Sequence, residues 1–271
     1  MRSLTVMVVV MLATVAHADI RTLAECRSAV SEDAAAVREE AARWITLGGG
    51  AEARLCEIAA LEALGAQRVA ATKLTELAQD RGTAISTEAR AVMFADAGRM
   101  WLNQGQLVLA RKTLEASAAL APEGAEHLAP LAELEMEEEN WEAAEAALTR
   151  LLAVGPENNR YFLRAIARRQ AGLLEGALED LAEIPETEKV RLERALIWAA
   201  QGKAEAAQVL ALSLASETDD HDIRAAAREL LAARALVDAP AGLEAADRPV
   251  LRDESVDAAA PESGPSPMPR P

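Results

Sequence analysis

Few residues in this chain have the type and spacing to do chemistry. Glu133, Glu135, Glu137, Glu138 and Glu139 stand in the run ELEMEEEN, residues 133–140. Carboxylates held close together serve as acid and base only where their surroundings drive their pKa values apart. A contiguous run near a helix end reads instead as a solvated face. Arg160, Arg164, Arg168 and Arg169 follow in NNRYFLRAIARRQ. The first three are spaced by four and share one face of a helix. The plainer expectation is a set of surface ion pairs within the chain, between these arginines and the glutamates of the preceding unit. The sharper one is a basic helix face, part of a charged groove for a peptide or an acidic ligand. Gly48, Gly49 and Gly50 form a triple glycine, but no lysine or Ser/Thr pattern follows to make it a phosphate loop. His127 and His221 are far apart, and the chain has no HExxH, paired CxxC or GxSxG pattern. The expectation is a non-catalytic protein with no cofactor and no metal.

Cys26 and Cys56 are the only cysteines. In an exported chain an even number of cysteines permits a disulfide, here joining the first helix of the mature chain to a later one. Two separate buried thiols are the alternative.

The elements that must position these residues are helices. Alanine, leucine, glutamate and arginine dominate, and all are good helix formers. The chain has 271 residues, 51% hydrophobic and only 3% aromatic, enough apolar material for a sizeable core. A formal net charge of -16 speaks against a nucleic-acid partner and against an anionic membrane surface.

The N-terminus, MRSLTVMVVVMLATVAHADI, has a positive start at Arg2, an apolar run from Leu4 to about Val15, and the small-x-small pattern Ala16-His17-Ala18. This is the form of a secretory signal peptide over residues 1–18, cleaved after Ala18. The run is short for a bilayer span, which needs about 20 residues. An uncleaved anchor is the alternative. The mature chain then carries no membrane span, and the expected compartment is the bacterial periplasm.

From residue 51 the chain repeats itself. Gly65, Gly105, Gly172 and Gly202 are each followed, five residues on, by a small residue: Ala70, Ala110, Ala177 and Ala207. Four further stand Leu74, Leu114, Leu181 and Ala211. Ala144 and Leu148 fit the same frame, with Glu139 in the glycine slot. Each unit reads as two helices around a tight turn. Glycine supplies a left-handed backbone, the small residue lets the helices approach, and Pro122 and Pro156 end units. A lone pair cannot bury its apolar face, so the pairs must stack.

These units resemble tetratricopeptide repeats. Residues 91–124 match that family through Phe94, Ala97-Gly98, Trp101, Gly105, Leu107, Ala110, Leu114, Ser117 and Pro122. Further units fall near 51–82, 125–157, 158–187 and 188–220, with a closing helix at 222–239. Residues 19–50 supply N-terminal helices, 51–239 the repeat domain, and 240–271 a Pro-rich acidic tail expected to be disordered. The resemblance implies an all-α, right-handed superhelical solenoid that binds a protein or peptide partner in its concave groove. The groove slots hold Arg99, Leu102 and Asn103, then Glu133, Met136 and Glu137, then Phe162, Ile166, Arg169 and Gln170. The family's clamp for peptide C-termini needs lysine and asparagine where this chain has Ala95 and Arg99, or Ala129 and Glu133. That binding mode is therefore not expected. The expected role is a scaffold or adaptor of the cell envelope. The alternatives are an accessory helical protein of a cell-wall enzyme system and a self-assembling structural component.

Overall fold

Thirteen helices follow one another in the computed structural model of the protein, which describes residues 20–238. The expected leader, with its cut after Ala18, and the expected tail at 240–271 lie outside the described residues.

The helices form consecutive antiparallel pairs. α1 (Leu23–Val30) precedes α2 (Ala34–Thr46), and α3 (Gly50–Ala63) precedes α4 (Gln67–Gln79). Then come α5 (Thr87–Leu102) with α6 (Leu107–Leu120), and α7 (Leu128–Glu137) with α8 (Trp141–Val154). α9 (Asn158–Gln170) pairs with α10 (Leu174–Ala182), and α11 (Glu188–Ala200) with α12 (Ala204–Glu217). α13 (His221–Asp238) closes the stack. The helix starts are signalled locally. Thr22 and Glu25 form a reciprocal capping box on α1, and the side chains of Asp33, Ser86 and Thr187 cap α2, α5 and α11.

The turn inside each pair from α3 onward is the same object. The amide of Gly105 donates to the carbonyl of Leu102 and that of Gln106 to Trp101, at 2.8 and 3.0 Å. This closure reverses the chain and satisfies the last carbonyls of the helix. It requires a left-handed residue, and Gly65, Gly105, Gly172 and Gly202 have φ between 66° and 79°. Glu139 takes that conformation at φ 58° without being glycine. The triple glycine closes the α2–α3 junction in the same way: Gly48, at φ 86°, donates to the Ile45 carbonyl and Gly49 to that of Trp44, and a Cβ on Gly49 would lie 2.4 Å from the Trp44 ring.

The frame residues form the seams. Ala70, Ala110, Ala144 and Ala177 are fully buried, and Leu114, Leu148 and Leu181 are each 1% exposed. The largest cluster runs through α3–α6 and contains Phe94, Trp101 and Leu114. Trp101 is buried, whereas Trp141 and Trp198 are half-buried.

The first helices of successive pairs touch one another at α1/α3, α5/α7, α9/α11 and α11/α13, while the second helices make no comparable contacts among themselves. The first helices therefore form the more closely stacked, inner side, with gaps at α3/α5 and α7/α9.

Candidate protein-binding groove

Three structures occur along this inner side and its flanks: an arginine network, an acidic corner and an open cleft.

The network is built around Asp180 of α10, whose side chain is only 2% exposed. Arg164 grips it through two nitrogens, Nε to Oδ2 at 3.0 Å and to Oδ1 at 3.2 Å, and Nη2 to Oδ1 at 2.6 Å. Arg168 donates to the same carboxylate at 3.1 Å and to Glu145 of α8 at 3.0 Å. Arg169 reaches forward to Glu193 of α11 at 2.5 Å. Arg160 pairs with Glu157 at 2.7 Å and donates to the Gly155 carbonyl at 2.6 Å. The bidentate grip on Asp180 raises the Arg164 guanidinium pKa above its ordinary value. Four helices, α8 to α11, are joined by one set of charges.

This corrects two expectations. Arg160, Arg164 and Arg168 do not form a basic face free to bind an acidic ligand, because each is occupied within the chain. Nor do they pair with the glutamates of residues 133–139. Those glutamates turn backward: Arg111 of α6 donates to Glu135 at 2.9 and 3.0 Å and to Glu138 at 2.5 Å. Asn140 adds a hydrogen bond to Glu135 at 2.9 Å. Arg111 and Asn140 hold the Glu135 carboxyl below its usual range, against its own burial. The reason is the order of stacking. α7 packs on α6, so its glutamates meet the cation of the preceding second helix first.

The sequence-assigned groove positions divide. Arg99, Asn103, Glu133, Glu137 and Gln170 are exposed, and Met136, Phe162 and Ile166 are half-buried. Leu102 is buried in the core beside Trp101 and is not a groove residue. Arg169 is held by Glu193 and is 19% exposed.

The cleft opens between α3 and α5, which hardly touch each other. It has a volume of about 460 Å³, and α1 borders it. Its apolar surface comes from Leu55, Ile58, Leu74, Val92, Met93 and Met100. Glu62, Asp96 and Arg99 line it with Arg27, and Glu133 stands near enough to Arg99 to feel its charge. Arg99 donates to Asp96 at 2.7 Å. Partial burial displaces water from Glu62 and Asp96 in the cleft and from Glu133 beside it, and raises all three pKa values although Arg99 opposes the shift. For Glu62 the neighbouring Asp96 charge adds to the rise.

Glu62, Asp96 and Ala59 are missing from the sequence-assigned groove. The turn frame could have found two of them. Carrying the register of Arg99 and Leu102 from Gly105 back to Gly65 lands on Ala59 and Glu62.

The Cys26–Cys56 pair forms a disulfide, with Cα atoms 5.8 Å apart, that fastens α1 to α3. His127 is buried at 1% exposure beside the start of α7, and His221 is exposed on α13. Among the described residues no group of three or more His, Cys, Asp or Glu is placed to hold a metal ion, and no helix is long and apolar enough to cross a membrane.

This arrangement is a tetratricopeptide-like helical solenoid. The chain is similar to the solved Cut9–Hcn1 hetero-tetramer of the APC/C, with a TM-score of 0.55 and 14% identity. The match covers 78% of this chain and 43% of that one, so the chain spans less than half the length of that relative. It is also similar to MamA (TM-score 0.46, 18% identity, 64% of this chain and 92% of that one). A thermophilic TPR protein of Thermus thermophilus matches too (TM-score 0.43, 17% identity, 66% and 97%). No protein-family model matches the chain, and no curated protein matches it.

Proposed function

We propose that this chain is a non-catalytic adaptor of the bacterial cell envelope that holds a partner protein on the inner face of its solenoid. The observation that carries the reading is the α3/α5 cleft. It is an open apolar surface on the side formed by the first helices, and it is rimmed by carboxylates that the chain itself leaves partly unanswered. Extended peptides and single helices both fit surfaces of this kind. Export is supported by the leader pattern of residues 1–18 and by the Cys26–Cys56 bond, since structural disulfides persist in oxidising compartments.

The test is photo-cross-linking in the native envelope. A cross-linking side chain at Val92, in the cleft, should capture a defined protein. One at Val209, 69% exposed on α12, should not. Equal capture from both, or capture of nothing but the chain itself at Val92, would sink the adaptor reading.

A further inference from the structure

We infer that the α3/α5 cleft takes a cationic amphipathic segment of its partner, aliphatic side chains in the cleft and lysine or arginine against Glu62 and Glu133. The inference rests on the adaptor reading and names the chemistry of the occupant.

The apolar half of the argument is the cleft surface. Val92 is 40% exposed there, and Met93 and Met100 border a space of about 460 Å³. That volume is within the roughly 300–1,000 Å³ usual for ligand pockets. Methionine side chains adapt to differing aliphatic shapes. The floor reaches through to Leu74 of α4, so a side chain entering between α3 and α5 meets carbon on three sides.

The charged half is a comparison of which groups are answered. Asp96 has Arg99. The carboxylates of Glu62 and Glu133 have no hydrogen-bond or ion-pair partner among the described residues, although both are partly desolvated by their surroundings. Glu137, one turn along α7 from Glu133, is exposed and extends the acidic edge. Arg27 of α1 borders the cleft as well, so the lining itself balances Glu62 and Asp96 against Arg27 and Arg99, and the acidic excess comes from Glu133 and Glu137 on the adjoining α7. A cation placed at Glu62 and Glu133 relieves charges that Arg99 answers only at a distance, without a hydrogen bond or ion pair. An anion there would face like charge at close range.

The same reasoning removes two other occupants. The chain's own C-terminal part, from residue 238, has seven acidic and three basic residues. A second copy of the chain brings a net charge of -16. Both meet the Glu62–Glu133 edge with the wrong sign.

The test uses three fluorescent synthetic helical peptides with one leucine pattern, their polar face built from lysine, glutamine or glutamate. Binding to the oxidised mature protein is read by anisotropy at physiological salt. The lysine peptide should bind at least about tenfold more tightly than the glutamate peptide, with glutamine between. Glu62→Gln with Glu133→Gln should remove most of that preference, and Ala59→Trp should block the lysine peptide by filling the cleft. Both variants are checked for native helix content. The glutamine pair lies on the exposed surface and keeps the test open if the tryptophan variant misfolds. Equal binding of lysine and glutamate peptides overturns the inference. So does lysine-peptide binding that neither variant changes, because attraction to an acidic protein at large would then explain it. Tighter lysine-peptide binding after deletion of residues 240–271 would make the tail the occupant and overturn it too. Persisting capture from Val92 alongside any of these failures leaves the adaptor reading standing and removes only the cationic segment.

Discussion

Between α1 and α6 the protein is held by carbon and by one covalent bond, whereas between α8 and α11 it is held to a large extent by charge. The first region has the largest apolar cluster and the Cys26–Cys56 disulfide. In the second, two arginines converge on the buried Asp180, a third holds Glu193, and the apolar clusters are smaller. The difference extends to the inner surface. In the arginine network each charged group is matched inside the chain, so little is left to attract a partner. Around the α3/α5 cleft the matching is incomplete, and that is where a partner would gain most. Charge density alone therefore misleads. The densest basic helix is structural, and a sparser acidic rim is the better candidate for recognition.

The sharpest way to break this comparison is Asp180→Ala. It leaves Arg164 and Arg168, at 14% and 19% exposure, facing each other across an emptied site. Removing one member of a buried ion pair costs about 3–5 kcal/mol. In a solenoid each unit contacts only its neighbours. Native-state hydrogen exchange should therefore show the loss across α8–α11, with α3–α6 protected as before. Equal loss in α3–α6 would mean that the two regions unfold as one, and the division would fail.

Removing the covalent staple is the reciprocal experiment. Cys26 and Cys56 are 30 residues apart, and a loop of that length stabilises by about 3–4 kcal/mol in the chain-entropy model. Cys26→Ser with Cys56→Ser should lower exchange protection in α1–α3 and leave α9–α11 unchanged. Unchanged protection in α1–α3 would show that apolar packing of Ile20, Val37, Ala41 and Trp44 suffices there.

Much of the fold was legible because it rests on short-range chemistry. The glycine–alanine–leucine frame, five and then four residues apart, fixes a turn, a close approach and a filled gap within one helix pair. Each of those is set by residues close in sequence. What the sequence did not yield is which unit a charged side chain faces. Arg111 meets Glu135 at a separation of 24 residues, Glu145 meets Arg168 at 23, and Arg169 meets Glu193 at 24. These distances follow from how one pair is rotated on the next, which helical spacing does not encode. Leu102 failed as a groove residue for a related reason. Its counterpart Glu62 is at the rim of an open cleft, whereas Leu102 is covered by its neighbours at 9% exposure. The register was the same, and the packing around it differed.

The smallest expected effect sharpens the comparison most directly, because it reverses sign between unanswered and answered carboxylates. Glu62 and Glu133 have folded-state pKa values raised by desolvation, so their charged forms weigh slightly against the fold at neutral pH. That burden is present above the raised values and is relieved as the pH falls through them toward the unfolded value of about 4.3. Glu135 behaves in the opposite way. Its lowered value gives stability that is present above the unfolded pKa and lost as the pH falls through the folded one. Glu62→Gln with Glu133→Gln should therefore leave stability unchanged or raise it by a few tenths of a kcal/mol at pH 7, since both side chains remain open to solvent. The gain should vanish near pH 4. Denaturant titrations of the variant and the parent at the two pH values measure this. A clear loss at pH 7 would mean that these carboxylates are already answered inside the chain, and the cleft would then resemble the arginine network after all.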